Sequence, residues 1–425
     1  MTASILHAPR LHRTVLENGL TILVLENPVA DIVSARLFLR AGKAQESSEA
    51  AGLASFLMGL LTKGTQTLSS LEIAEAVESV GASLGTDAAA DYSVISLKTV
   101  SADFGPILGL AASLLRFPSF PEDEIDLEKR LTLQQIRSMQ EQPFTVAFNR
   151  LRQDMYGDHP YSLPGIGTKE TVAGFYRQQL FDFHARYFRP DNVVVTIVGR
   201  ITPDEAVDQV RQVLGDWVVP SSPLSATVLP AVPSGGQCSI ASQDTNQAII
   251  MLGYPAASVK HPAYAALKLL NTYLGNGLSS RLFVELREKR GLAYDVSAFY
   301  PTRLGQSQFV AYMGTAPENA ATALEGLRFE VERLRDILLA DDELQASKNK
   351  LLGQYALGKQ TNAQIAQLLG WYEILGLGVE FDQHFQDMTA AVTAEEAQAI
   401  AQELFQAPYI SLLGPEQAVA PLASL

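Results

Sequence analysis

The feature that most limits how this chain can fold is an internal repeat. Blocks of similar pattern recur in the same order at an offset of about 210 to 220 positions, the mark of one supersecondary plan used twice. ARLFLRAG (35–42) answers to AIIMLGYP (248–255), and AGLASFLMGLL (51–61) to AYAALKLLNTYLG (263–275). Further on, ADYSVISLKTVSADFGPILGLAASLL (90–115) answers to GQSQFVAYMGTAPENAATALEGLRF (305–329), FPEDEIDLEKRLTLQQI (120–136) to LADDELQASKNKLLGQY (339–355), and FRPDNVVVTIVG (188–199) to FQAPYISLLGP (405–415). Between the halves lies VPSSPLSATVLPAVPSGG (219–236), dense in Pro, Ser and Gly and poor in charge, which reads as a linker. The expected organisation is a domain over 1–218, a linker over 219–236 and a domain over 237–425.

Each half mixes extended and helical patterns. TVLENGLTILVLEN and DIVSARLFLR predict two or three strands, with a hairpin turn at Asn18-Gly19. Residues 51–61 are helical in period and apolar almost all round, so that helix should be buried. Ser69 or Ser70 caps a second helix running to Val80, residues 81–98 are extended, and 103–115 return to helix. Pro121 precedes a long charged helix over 122–139, and residues 176–199 read as a helix followed by a strand. Thr202-Pro203-Asp204-Glu205 has the form of a helix-capping box with proline at the first helical position. The fold class expected is α+β, each half a mostly antiparallel sheet packed with helices.

Composition narrows the function. At 425 residues the chain is too long for one ordinary core, and 47% apolar content supplies material for two or more. A net charge of −14 leaves no basic footprint for nucleic acid or an anionic membrane surface. Cys238 is the single cysteine, so neither an intrachain disulfide nor a thiolate metal cluster can form. The start carries no basic region followed by a long apolar core, and no stretch reaches membrane-span length, so a soluble, cytoplasmic protein is expected.

The most distinctive run is GLSSRLFVELREKRGLAYDVSAFY (277–300). Leu282, Phe283 and Leu286 share one side of a predicted helix that Gly291 should end, after which Ala293, Tyr294, Val296, Ala298 and Tyr300 follow a period near two. Arg287 and Tyr294 then stand on either side of one turn. The pattern SSRLF-x-x-LRE-K-x-GLAY resembles the C-terminal half of the pitrilysin and insulin-degrading enzyme family, zinc peptidases with an inverted H-x-x-E-H motif. The resemblance extends over almost the whole chain. It implies two homologous halves per chain, dimers that enclose a chamber for peptides, and contact of Arg287 and Tyr294 with the substrate backbone and oxyanion.

In that family the first half carries G-x-A-H-F-L-E-H-M-x-x-K-G-T. The corresponding run here is GLASFLMGLLTKGT (52–65), aligned without a gap, so Ser55 and Gly59 stand where the two histidines belong and Met58 where the glutamate belongs. Residues four apart share a helical face, which lets two imidazoles reach one metal while the intervening glutamate activates water. Glycine has no side chain and methionine no basic oxygen. The third ligand, a glutamate in E-x-E-R-x-x-x-L-x-E, aligns with Gln135 in DLEKRLTLQQ. No bound cofactor is expected in this chain.

Substitute sites fail on spacing or context. No two of the six histidines, His7, His12, His159, His184, His261 and His384, lie three or four apart. Gly81-Ala82-Ser83-Leu84-Gly85 matches G-x-S-x-G but opens an extended segment after a helix, the reverse of a nucleophile elbow. His159 lies in a Pro- and Gly-rich loop and reads as loop-fixing, and the charge run 122–128 reads as a solvated helix face. In bacterial two-chain members of the resembled family one chain carries H-x-x-E-H and the other the arginine and tyrosine, and this chain looks like the second kind. The resemblance implies a zinc-bearing paralogue as heterodimer partner and a peptide as substrate. A structural or assembly protein with the same fold, and a homodimer that binds peptides without cutting them, are the alternatives.

Overall fold

The computed structural model describes residues 11–224, 229–233 and 235–424. The first half runs β1 (His12–Val15), β2 (Thr21–Glu26), β3 (Val33–Leu39), α1 (Leu53–Leu60), α2 (Ser70–Glu78), β4 (Ser83–Ala88), β5 (Ser93–Thr99), α3 (Phe104–Arg116), α4 (Glu122–Gln140), α5 (Pro143–Tyr156), α6 (Lys169–Gly174), α7 (Arg177–Tyr187), β6 (Val193–Gly199) and α8 (Pro203–Leu214). The second runs β7 (Cys238–Ser242), β8 (Ala248–Ala256), α9 (Tyr264–Gly275), a π-helical turn (Phe283–Glu288), β9 (Asp295–Phe299), β10 (Ser307–Thr315), α10 (Ala320–Asp336), α11 (Asp341–Leu357), α12 (Asn362–Ile374), α13 (Phe381–Ala391), α14 (Ala394–Leu404), β11 (Tyr409–Gly414) and α15 (Glu416–Val419).

The repeat is realised strand by strand. One sheet has the order β1-β2-β6-β3-β5-β4 and the other β7-β11-β8-β10-β9, so the second reproduces the first without β1. In both, the pair nearest the start of the half is parallel (β2 with β6, β7 with β11) and the remaining shared pairs are antiparallel. In register, Arg36 faces Thr196 on β6 and Met251 faces Ser411 on β11, two positions beyond the Ile249 that the block comparison sets against Arg36. Local signals act as expected: Gly19 takes φ +81 in the β1–β2 turn, Ser69 accepts from the Glu72 N–H at the start of α2, and Thr202 accepts from the Glu205 N–H at the start of α8.

The compact units are not the contiguous halves. Among the described residues, those within 1–134, 165–227 and 357–381 form one unit, and those within 135–164, 228–356 and 382–425 the other. The expected division at 1–218 and 237–425 keeps each sheet whole, and these units differ from it in grouping 135–164 with the second sheet and 357–381 with the first. The described residues of the 219–236 stretch carry no helix or strand; 225–228 and 234, like His7, lie outside the described residues.

The reason is an exchange of equivalent helices. In the first unit α12 covers β3 and β6: Ala366, Gly370 and Ile374, four apart, are buried, and the Thr196 hydroxyl donates to the Ala366 carbonyl at 2.9 Å. A β-carbon on Gly370 would come within 2.1 Å of the Phe38 ring, so the helix seats only because that position is bare. In the second unit α5 covers β8 and β11 through Ala147, Leu151 and Met155, also four apart and buried, while Ser411 donates to the Ala147 carbonyl at 2.9 Å. Beyond these helices the second core centres on Phe405, whose ring lies 5.1 Å from that of Tyr254 and 4.8 Å from that of Phe309. Each such fully buried aromatic contributes about 1.5–3 kcal/mol.

Candidate functional site

The segment carrying Arg287 is wound wider than an α-helix. The Lys289 N–H donates to the Val284 carbonyl at 3.0 Å, five residues back, and residues 283–288 form a π-helical turn, a geometry often found at functional positions. Leu282 and Leu286 are buried beneath it, while Arg287, Glu288, Lys289 and Arg290 point to solvent. The turn ends as the glycine requires. Gly291 takes φ +63, its N–H donates to the Arg287 carbonyl at 3.2 Å, and the Leu292 N–H donates to the Leu286 carbonyl at 2.9 Å.

Both flanks of the turn are pinned. Glu330 on α10, with no exposed side-chain area, accepts from Arg281 Nε at 2.8 Å and from Arg290 at 3.4 Å, holding the turn down at its two ends. Past Gly291, the Thr315 hydroxyl donates to the Leu292 carbonyl at 2.6 Å and the Tyr294 N–H to the Gly314 carbonyl at 2.9 Å, which sets Tyr294 at the head of β9. On β9 itself Val296 and Ala298 are buried, whereas Tyr294 is 59% exposed. The Arg287 guanidinium lies 5.1 Å from the Phe283 ring centroid, a cation–π contact that orients it. Among the described residues neither the Arg287 guanidinium nor the Tyr294 hydroxyl has a hydrogen-bond partner. Two strong donors are therefore presented to solvent from a base fixed by Glu330 and Thr315.

The helix expected to hold metal in related chains is α1. Its N-terminus is capped by a carboxylate from outside: Glu46 accepts from the Gly52 N–H at 2.8 Å and from the Ala54 N–H at 2.7 Å. Burial pushes the Glu46 carboxyl up to about 7, against the lowering effect of those two bonds and of Lys43. Ser55 and Gly59, one turn apart, share the partly exposed face, and Met58 is buried. A β-carbon on Gly59 would stand 3.1 Å from Oε1 of Glu128 on α4, so that carboxylate fills the direction a side chain would take. Gln135 is exposed farther along α4. These side chains do not fit a zinc ion, and among the described residues no group of three or more His, Cys, Asp or Glu is placed to hold a metal.

Other sequence candidates take structural roles. His159 Nδ1 accepts from the Tyr161 N–H at 3.0 Å and shapes its loop, and Gly81 turns at φ +63 into β4. Cys238 is free and exposed, and no helix among the described residues is long and apolar enough to cross a membrane. The charge run on α4 buries Ile125 but leaves Leu127 39% exposed. Sequence reasoning missed Lys268 on α9, the counterpart of α1. Its ammonium is enclosed by the rings of Tyr264 and Tyr300, 5.3 and 5.0 Å away, and donates to the Tyr300 carbonyl at 2.8 Å. Burial, with Arg303 nearby, brings it down to about 8. A lone lysine in an apolar helix carries no spacing signal that could have revealed this.

Comparison with known proteins gives a consistent result. Residues 21–169 match the family "Insulinase (Peptidase family M16)" and residues 174–351 the family "Peptidase M16 inactive domain". Uncharacterised zinc proteases of Mycobacterium tuberculosis and Bacillus subtilis are 29% and 26% identical over 413 and 407 residues, covering 96% and 95% of this chain and 93% and 98% of theirs. The crystal structure of a peptidase M16 inactive domain from Pseudomonas fluorescens superposes with a TM-score of 0.89 at 26% identity, covering 95% of this chain and 98% of that one. A protease from Helicobacter pylori shares the fold at a TM-score of 0.91 and 21% identity, covering 96% of this chain and 100% of that one.

Proposed function

Because the chain belongs to peptidase family M16, by both of the family domains it contains, we propose that it is the subunit of a zinc peptidase that lends Arg287 and Tyr294 to an active site whose metal ligands belong to a partner chain of the same family. The observation that carries this reading is the contrast within the chain. The Arg287 and Tyr294 donors are exposed, firmly based and without partners among the described residues, whereas α1 offers Ser55, Met58 and Gly59 where ligands and base would have to be. Alone, the chain would bind peptide without hydrolysing it.

In the complete site Arg287 supplies a charge-assisted hydrogen bond to the substrate backbone, and the Tyr294 hydroxyl donates to the scissile carbonyl as negative charge develops on its oxygen. Donors held in place before the reaction need no reorganisation when that charge appears, and losing one costs about 10²-fold or more in rate.

The test mixes this chain with a purified M16 chain that carries H-x-x-E-H and follows cleavage of a peptide. The wild-type mixture should cleave, each chain alone should not, and Arg287→Ala or Tyr294→Phe should lower the rate of the mixture about 10²-fold. Equal cleavage in all mixtures rejects the reading and leaves the fold in an assembly role.

A further inference from the structure

The second unit contains a cavity of about 380 Å³ between α9, the segment leading into the π-helical turn, and α11, which is within the lower part of the roughly 300–1,000 Å³ range of ligand sites. It is walled within that unit by Tyr273, Ser279, Arg281, Glu343, Ser347 and Lys350, among others. Arg287 and Tyr294 do not line it.

Its charges fall into two classes. Arg281 and Glu285 are engaged with each other and with Glu330 and Lys289. The remaining three have no opposite charge within ion-pairing distance among the described residues. Lys350 donates only to the Asn276 carbonyl and, at 3.3 Å, to the Ser279 hydroxyl. Glu343 accepts from the Tyr273 hydroxyl at 2.9 Å and the Ala340 N–H at 3.1 Å, and Asp342 from the Glu343 N–H at 3.0 Å. Partial burial lowers the Lys350 ammonium.

Placement along α11 sets the ligand. Glu343, Ser347 and Lys350 recur at four and then three residues, so they share one face. Seven residues separate the acidic end from the basic end, about 10 Å at 1.5 Å per residue. An extended peptide covers roughly 3.3–3.6 Å per residue. A unit of two or three residues with free termini therefore matches the gap in both length and sign.

We infer that this cavity binds short zwitterionic peptides, two or three residues long, with the C-terminal carboxylate on Lys350 Nζ and Ser279 Oγ and the N-terminal ammonium at Asp342 and Glu343. Its ligand is recognised by both termini and not by side chains. Such a site reads the products of peptidase chemistry apart from the place where Arg287 and Tyr294 act, and it stands whether or not those residues serve catalysis.

The probe is tri-alanine, titrated calorimetrically into the full chain, with N-acetyl-tri-alanine and tri-alanine amide as controls. Saturable binding of tri-alanine is expected, weakened tenfold or more by blocking either terminus. Lys350→Met should abolish binding and Ser279→Ala should weaken it several-fold, each variant keeping the unliganded melting temperature of the wild type. Lys348→Met, on the same helix but outside the cavity lining, should bind tri-alanine unchanged. Equal binding of the blocked peptides, full binding by a folded Lys350→Met, or no saturable binding of tri-alanine at millimolar concentration would overturn the inference.

Discussion

The same strand order supports two different outcomes at its leading helix. On α1 the accessible face is nearly bare, Ser55 and Gly59, with the Glu128 carboxylate drawn up against the glycine. On α9 the interior holds a buried lysine between two tyrosines, and a charged cavity opens beside it. The sheets and helix order are set by apolar pattern, which both halves retain. What sits on the accessible face of that leading helix is free to change, because a handful of side chains there contributes little to the core. Divergence on that face with retention of strand order is what two copies of one scaffold permit when only the scaffold is needed for folding.

That contrast can be broken most forcefully at Glu330, which anchors the turn of the second half from below, whereas Glu46 holds α1 at its N-terminus. Glu330→Ala leaves Arg281 and Arg290, both partly solvated, without their buried carboxylate, and because Arg281 still faces Glu285 at 3.6 Å the loss should be about 3 kcal/mol, the low end for removing one partner of a buried pair. Urea unfolding should show that loss, and the mixture assay should lose the Arg287 contribution with it. A midpoint within error of wild type would show that the turn is held by Leu282 and Leu286 alone.

The halves should also respond to pH in opposite directions. Glu46 sits at about 7 in the folded chain and near 4.5 when unfolded, so its contribution is full below 4.5 and is lost as pH rises through 7. Lys268 sits at about 8 against 10.5, so its contribution is full above 10.5 and is lost as pH falls through 8. Each change is on the order of 3 kcal/mol, because every tenfold change in an acid dissociation constant between the folded and unfolded chain is worth about 1.4 kcal/mol. Glu46→Gln should flatten the fall in unfolding free energy between pH 4.5 and 7, and Lys268→Met the rise between 8 and 10.5. Unaltered slopes in the variants would assign the titration to other groups.

A smaller effect compares the two exchanged helices. Gly370→Ala drives a methyl group into the Phe38 ring, whereas Gly253→Ala meets first the thioether of Met155 at 2.6 Å, the flexible end of its side chain. Overpacking should cost about 3 kcal/mol in the first case and about 1 kcal/mol in the second. Equal melting-temperature losses would mean that α5 is seated as rigidly as α12.

Much of this was legible in residue order alone. The repeat, the Asn18-Gly19 turn, the caps at Ser69 and Thr202 and the stop at Gly291 are local, set by residues a few positions apart. The candidate residues Arg287 and Tyr294 could be named, as could the positions Ser55, Met58, Gly59 and Gln135. The π-helical winding at 283–288 was not legible, since an extra residue per turn leaves the same apolar spacing at Leu282 and Leu286. Nor was the Glu330 clamp, whose partners lie 40 and 49 positions away in sequence.

By itself the amino-acid sequence determined the strands, the helices, their duplication and the absence of imidazoles from α1, because periodicity and residue type act over a few positions. Only the tertiary structure decided that α5 belongs with the second sheet and α12 with the first, that Arg287 and Tyr294 stand free of partners among the described residues, and that Lys350 and the acids two turns before it on α11 line one cavity. An apolar stripe specifies that a helix must be buried and carries no information about which of two similar sheets will bury it. That choice is made by the shape of the contact, at residues such as Gly370 against Phe38, once both surfaces exist.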